Sequence, residues 1–157
     1  MNLVERKHSF TAQHQFFLII SALLIAGGFN ATKPSHDATR SVELLLMDPK
    51  NGQIIQSCSL PDMPEKRYEH TVDSNLICGG RSFETATTLD TCISFSKGVW
   101  KETHKLTRRR SGHASWKVCE GVVLFGGAQG GSRETAELVE AKTGKTKILF
   151  DLEFVLR

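Results

Sequence analysis

Apolar residues in this chain come in short runs that stop at paired glycines. "ALLIAGG" ends at Gly27 and Gly28, "NLICGG" at Gly79 and Gly80, and "VVLFGG" at Gly126 and Gly127. The first glycines are 52 residues apart (27 to 79) and then 47 (79 to 126), a period near fifty. Behind each pair the same order recurs: a run of strand-forming residues, a tight turn, and a second run. The second runs and turns are "SVELLLMDPKNGQIIQSCSL", "DTCISFSKGVWKETHKL" and "TAELVEAKTGKTKILF", with Gly52, Gly98 and Gly144 at the turns. Ahead of the second and third glycine runs stands Arg-x-x-His, as Arg67 with His70 and Arg110 with His113. The histidines precede their glycines by 9 and 13 residues (70 to 79, 113 to 126), a difference that a longer hairpin in the third unit explains. His14 also precedes Gly27 by 13, but residue 11 is threonine, so a matching first strand is not supported there.

Each unit therefore predicts four short strands: the Arg-x-x-His strand, the glycine strand, an acidic-apolar strand and an outer one. A helical repeat of this length would space its apolar residues by three or four, and these runs do not. Four strands per unit at this period is the pattern of β-propeller blades, and the fold class expected is all-β, a partial propeller of two to three four-stranded antiparallel blades. Glu43 and Glu137 fall at equivalent strand positions and, like His70 and His113, are expected to be structural, because repetition at matching places marks packing.

"LICGG", "VLFGG", the Arg and His before them, and Trp100 in the outer strand of the second unit resemble the kelch repeats. "SCSLPDMPEKRYEHT", "TTLDTCISF" and "VVLFGG…TAELVE" are similar, more narrowly, to invertebrate kelch proteins, many of them secreted. The resemblance runs from residue 23 to about 150, so residues 1–22 read as a separate amino-terminal segment and 23–157 as the repeat region. Leu45, Phe95 and Val139 stand where kelch repeats carry tyrosine, and the first and third units lack the outer tryptophan. The resemblance implies a non-catalytic binding module with protein or glycan partners, held by loops 29–40, 81–90 and 128–134. An enzyme is the alternative: some kelch-type propellers are copper oxidases of galactose, whose site takes two tyrosines and two histidines, and this chain has the single tyrosine Tyr68.

A propeller closes with roughly four to eight blades. The chain is accordingly expected to be a fragment of a longer propeller or a truncated product, with self-association through its unclosed end blades as the third expectation.

Other chemistry is thinly represented. "GVVLFGGAQGG" has neither the G-x-G-x-x-G spacing nor the Lys-Ser/Thr that phosphate loops need, so no nucleotide is expected. A net charge of +3 and one "RRR" cluster at 108–110 do not make a nucleic-acid footprint. Cys58, Cys78, Cys92 and Cys119 lack the close spacing of a zinc site; oxidised, they allow three pairings. No G-x-S-x-G elbow occurs, and Glu69 and Asp73 beside Tyr68 have no second carboxylate at a fixed spacing, so no catalytic, cofactor-binding or metal residue is assigned. Trp116 is expected in the core, given the area an indole buries.

Residues 16–26, "FFLIISALLIA", resemble the centre of a signal peptide and at the same time supply the first glycine strand. With the sequon "NAT" at Asn30, they give extracellular location as the expectation and cytoplasmic as its alternative.

Overall fold

The computed structural model describes residues 21–30, 37–73, 75–128 and 133–151, and among them every regular element is a β-strand. In chain order these are β1 (Ser21–Ala26), β2 (Phe29–Asn30), β3 (Asp37–Ala38), β4 (Val42–Met47), β5 (Ile54–Leu60), β6 (Arg67–Tyr68), β7 (Thr71–Asp73), β8 (Leu76–Cys78), β9 (Arg81–Ser82), β10 (Thr91–Ser96), β11 (Val99–Lys105), β12 (Ala114–Val118), β13 (Gly121–Phe125), β14 (Thr135–Glu140) and β15 (Thr146–Asp151). They form three antiparallel sheets in simple neighbour order: β1-β4-β5, β7-β8-β10-β11 and β12-β13-β14-β15. Two small ribbons, β2-β3 and β6-β9, flank them.

The glycine strands are β1, β8 and β13, and the runs behind them are the next two strands of each sheet, as the repeat predicts. The longer third hairpin is also present, since β7 and β8 have three residues each where β12 and β13 have five. β1 begins at Ser21, so the second half of the apolar run 16–26 is a strand; residues 1–20 and the rest of the sequon after Asn30 lie outside the described residues. The first sheet accordingly shows three strands among the described residues.

Alternation along the strands builds two apolar layers. Ala26, Val42, Met63, Ile77 and Ile93, with Leu24, Leu60, Val72 and Trp100 against them, join the first sheet to the second. Cys78, Cys92, Leu106, Val122, Leu124 and Val139 join the second to the third. The middle sheet is thus covered on both faces, which is why neighbours of opposite orientation, Ile77 beside Cys78 and Cys92 beside Ile93, are all buried. Cys78 and Cys92 are register partners across β8 and β10 and form a disulfide.

The Arg-x-x-His motif departs from its expected place. Arg67 lies in β6, a ribbon outside the blade-like sheet, His70 lies between β6 and β7, and Arg110 and His113 precede β12. The main chain shows what these segments bond to instead: the arginine carbonyls accept hydrogen bonds from the glycine pairs of the preceding unit. Arg67 O takes the N–H of Gly28 (3.1 Å), and Arg110 O takes that of Gly80 (2.9 Å).

Candidate functional site

Each junction between sheets is built from one glycine pair and the Arg-x-x-His of the following unit. Gly27 and Gly28 have φ of 60° and 113°, and Gly79 and Gly80 have 60° and 90°. Side chains with a Cβ rarely adopt that region. Space imposes the same choice. A Cβ on Gly79 would stand 2.5 Å from Arg110 O and 2.9 Å from His113 Cε1; one on Gly27 would stand 2.6 Å from Arg67 O and 3.0 Å from His70 Cε1.

While its carbonyl faces backward, each arginine side chain reaches forward into its own unit. Arg67 Nη1 donates to Gly79 O (3.2 Å) and Thr91 O (3.1 Å), and Nη2 to Thr91 Oγ1 (3.1 Å) and Glu65 Oε1 (2.5 Å). Arg110 Nη1 donates to Gly126 O (2.8 Å), and Nη2 to Thr135 Oγ1 and Glu137 Oε2, both 3.1 Å. One residue thereby ties three pieces of chain: the glycine pair behind it, its own glycine strand, and the strand after that. Both guanidinium groups are almost fully buried, so they need these acceptors to offset lost hydration. Glu137, equally buried, gives its other oxygen to the Thr107 N–H. Burial lowers the pKa of both arginines, and the neighbouring carboxylates Glu65 and Glu137 oppose it.

The histidines complete the junctions as neutral rings. His70 Nε2 donates to Ala26 O (2.9 Å), and His113 Nε2 meets Thr71 Oγ1 at 3.0 Å. Burial, and for each the positive arginine beside it, pushes both pKa values down to about 4.

Thr91 and Thr135, which open the strands behind their glycine loops, and Ser41, which immediately precedes β4, were not singled out in the sequence. Their carbonyls accept the N–H of Gly27, Gly79 and Gly126 (2.9, 3.0 and 3.0 Å), and the threonine hydroxyls bind the arginines. The signal was a hydroxyl residue at the same place in "SVELLL", "TCISF" and "TAELVE". Met63 was missed as well; it fills the space beside Gly27 and nothing in the repeat marks it.

Of the aromatic residues, Trp100 packs against Phe95 at 5.1 Å between ring centroids and donates from Nε1 to Pro61 O (2.7 Å). Trp116 contradicts its expected burial: it is 70% exposed. It pairs with Val123 on the face of the third sheet opposite Val122 and Leu124, and those two face the second sheet, so its own face meets no other sheet among the described residues. Glu43 accepts from the Ser57 hydroxyl. Cys58 and Cys119 are free thiols.

Phe29 of loop 29–40 and Arg81 of loop 81–90 come together at Tyr68. Phe29 packs against its ring, 5.4 Å between centroids with the planes tilted by 40°. The Arg81 guanidinium lies over the same ring, 5.8 Å from its centroid, a cation–π arrangement. Beside them Lys66 pairs with Asp37 (2.8 Å) and lies 5.5 Å from the Phe83 ring. Loop 128–134 is described at residues 128, 133 and 134 alone. Among the described residues no three His, Cys, Asp or Glu side chains are grouped to hold a metal ion.

All-β architecture of stacked antiparallel sheets is the class this arrangement defines. Among solved structures, that of YjhT superposes with a TM-score of 0.59 over 82% of this chain at 17% identity, a likeness of fold alone. The chain spans 42% of the length of that structure. No family model and no curated protein matches the sequence.

Two outcomes follow from the junctions. Arg110→Met is expected to cost about 3–5 kcal/mol by leaving Glu137 buried without its counter-charge, whereas Arg110→Met with Glu137→Met costs less than the sum of the two single changes. Urea titration of the four proteins checks this, and strict additivity contradicts it. As to pH, histidines depressed to about 4 are protonated first in the unfolded chain, with its ordinary value near 6.5. Their contribution is whole above about pH 6.5 and is lost as pH falls toward 4. The urea midpoint should decline across that window, and less steeply in His113→Gln; an equal slope in the variant contradicts the assignment.

Proposed function

We propose that the chain is a section of a larger kelch-type β-propeller, serving as a non-catalytic module that recognises a protein or glycan partner. Two junctions of like geometry support the propeller reading, since a repeated geometry between successive sheets is what turns them about an axis. The observation that carries recognition is the Phe29–Tyr68–Arg81 cluster, where residues following two successive glycine pairs meet. Phe29 remains 47% exposed, and the half-buried Arg81 lies on the other side of the Tyr68 ring contact with its Nε buried and without a hydrogen-bond partner. Such a pair suits a sugar ring or a peptide side chain, by stacking and directional hydrogen bonds.

The copper-oxidase alternative finds no favouring observation, because the single tyrosine, Tyr68, is engaged between Phe29 and Arg81. Extracellular location is the proposed compartment. The Cys78–Cys92 bridge is mildly in its favour, as cytosolic thiols are mostly kept reduced, and no helix among the described residues is long and apolar enough to cross a membrane.

Binding to a glycan array and a displayed peptide library tests the module. A ligand found there should lose roughly tenfold or more in affinity with Phe29→Ala or Arg81→Ala while the circular dichroism is unchanged. Affinity indifferent to both changes, or no ligand of either class, contradicts the reading. For location, cells expressing the chain from its own start should release it with Cys78 and Cys92 bridged; recovery solely from cytosol with all four cysteines reduced is the contrary result.

A further inference from the structure

The residue before each glycine pair faces one residue of the strand behind it: Ala26 faces Val42, Cys78 faces Cys92, and Phe125 faces Ala136. In the middle sheet alone that pair is covalent. The glycine turn does not demand a bridge, because Gly27 and Gly126 hold φ of 60° and 65° beside uncrosslinked apolar pairs, as Gly79 holds 60° beside the bridge.

What the middle unit lacks is a carboxylate on the strand behind its glycines. Arg110 is tied to β14 by Thr135 and by Glu137, whose other oxygen takes the Thr107 N–H. The matching places in the middle unit hold Ile93 for Glu137 and, three residues ahead of Arg67, Pro64 for Thr107. Proline has no N–H, so a glutamate at 93 would be buried with one oxygen unserved. Arg67 takes its counter-charge instead from Glu65, which is 31% exposed, and holds β10 through Thr91. Its Nη1 donates to Gly79 O and Thr91 O together, at 3.2 and 3.1 Å, so those two carbonyls have to stay side by side. They belong to the residue after Cys78 and the residue before Cys92. The bridge thus fixes a spacing that Glu137 helps to fix in the third sheet.

The path from Arg67 to the surface of the Phe29–Tyr68–Arg81 cluster is short. Tyr68 follows Arg67 and pairs with Arg81 in the ribbon β6-β9. Phe29 follows Gly28, whose N–H is held by Arg67 O.

We propose that the Cys78–Cys92 bridge is a redox latch on that surface: closed, it keeps Arg67 seated; opened by a dithiol, it lets Arg67 shift, and Tyr68, Arg81 and Phe29 with it. As a regulation of binding, this rests on the recognition reading above. A thiolate of the dithiol attacks one cystine sulfur, the sulfur–sulfur bond breaks, and the other cysteine leaves as thiolate. The reductant's second thiol then displaces the first cysteine, so the dithiol becomes a disulfide and its two protons end on Cys78 and Cys92. Both cysteines are buried, so attack follows local opening. β7 and β8, at three residues each, are the shortest strands of the three sheets and offer the least ladder to break.

Alkylation read by mass spectrometry, and amide exchange read by NMR, test the latch on the full chain before and after a dithiol. Without denaturant, Cys58 and Cys119 should be alkylated before reduction and all four cysteines after it. On reduction the N–H groups of Gly28 and Phe83, which bind Arg67 O and Lys66 O, should exchange roughly tenfold or more faster relative to that of Leu124 in the third sheet. Cys78→Ala with Cys92→Val, which copies Ala26 and Val42, should show the fast pattern with or without the dithiol. A bridge that resists the dithiol in the folded protein, or a bridgeless variant with the slow pattern, would overturn the proposal. So would an equal loss of protection at Gly28, Phe83 and Leu124, the result of a plain cross-link that stabilises the whole chain. These amides are read with nothing bound, so a failed latch leaves ligand recognition standing, and the absence of a glycan or peptide ligand leaves the latch standing.

Discussion

A buried arginine at each sheet junction is the constraint that the remaining structure serves. Its main chain binds the glycine pair behind it and its guanidinium binds the unit ahead, so displacing it would open contacts on both sides at once. Apolar layers supply most of the favourable free energy of stacking, yet they are indifferent to direction. Hydrogen bonds from a planar, always charged group are directional, and they set how far one sheet is turned from the next. The glycines then follow as a requirement of space, because the arginine carbonyl and the histidine ring occupy the positions that side chains would take.

Charge compensation differs between the two junctions while the geometry is retained. In the third unit the carboxylate comes from Glu137, two residues after Thr135. The matching place in the second unit, two residues after Thr91, is Ile93, which belongs to the apolar layer, and the carboxylate comes instead from Glu65, two residues before the arginine. Where the sequence lacks the arginine, as at the first unit, the equivalent Glu43 turns to Ser57. A buried guanidinium thus requires an anion within reach, and the fold accepts it from either side.

The strands and their order were legible in the sequence because two signals coincided: apolar runs of strand length and glycine doublets at a fixed period. Which of Leu23, Leu24, Ile25 and Ala26 face inward was not legible, since all four are apolar; the structure turns Leu24 and Ala26 inward. The position of Arg-x-x-His was not legible, since spacing cannot tell a residue within a strand from one that leads into it and bonds to the previous sheet. Trp116 misled for a related reason. Its size argues for burial, but burial needs a neighbour, and the face it occupies meets no other sheet among the described residues. The Cys78–Cys92 pairing is a matter of register between β8 and β10, which four cysteines counted along a chain do not reveal. The Phe29–Tyr68–Arg81 cluster joins residues far apart in sequence, so it emerged with the fold.

Amide hydrogen exchange followed by NMR at Gly28 and Gly80 addresses the junctions most directly, because these two N–H groups are bound to the arginine carbonyls across the sheet boundaries. Protection comparable to that of Ile93 and Leu124 within the sheets is the result the account predicts. Exchange as fast as in exposed turns, with the sheet amides still protected, would mean that the arginines do not hold the sheets together.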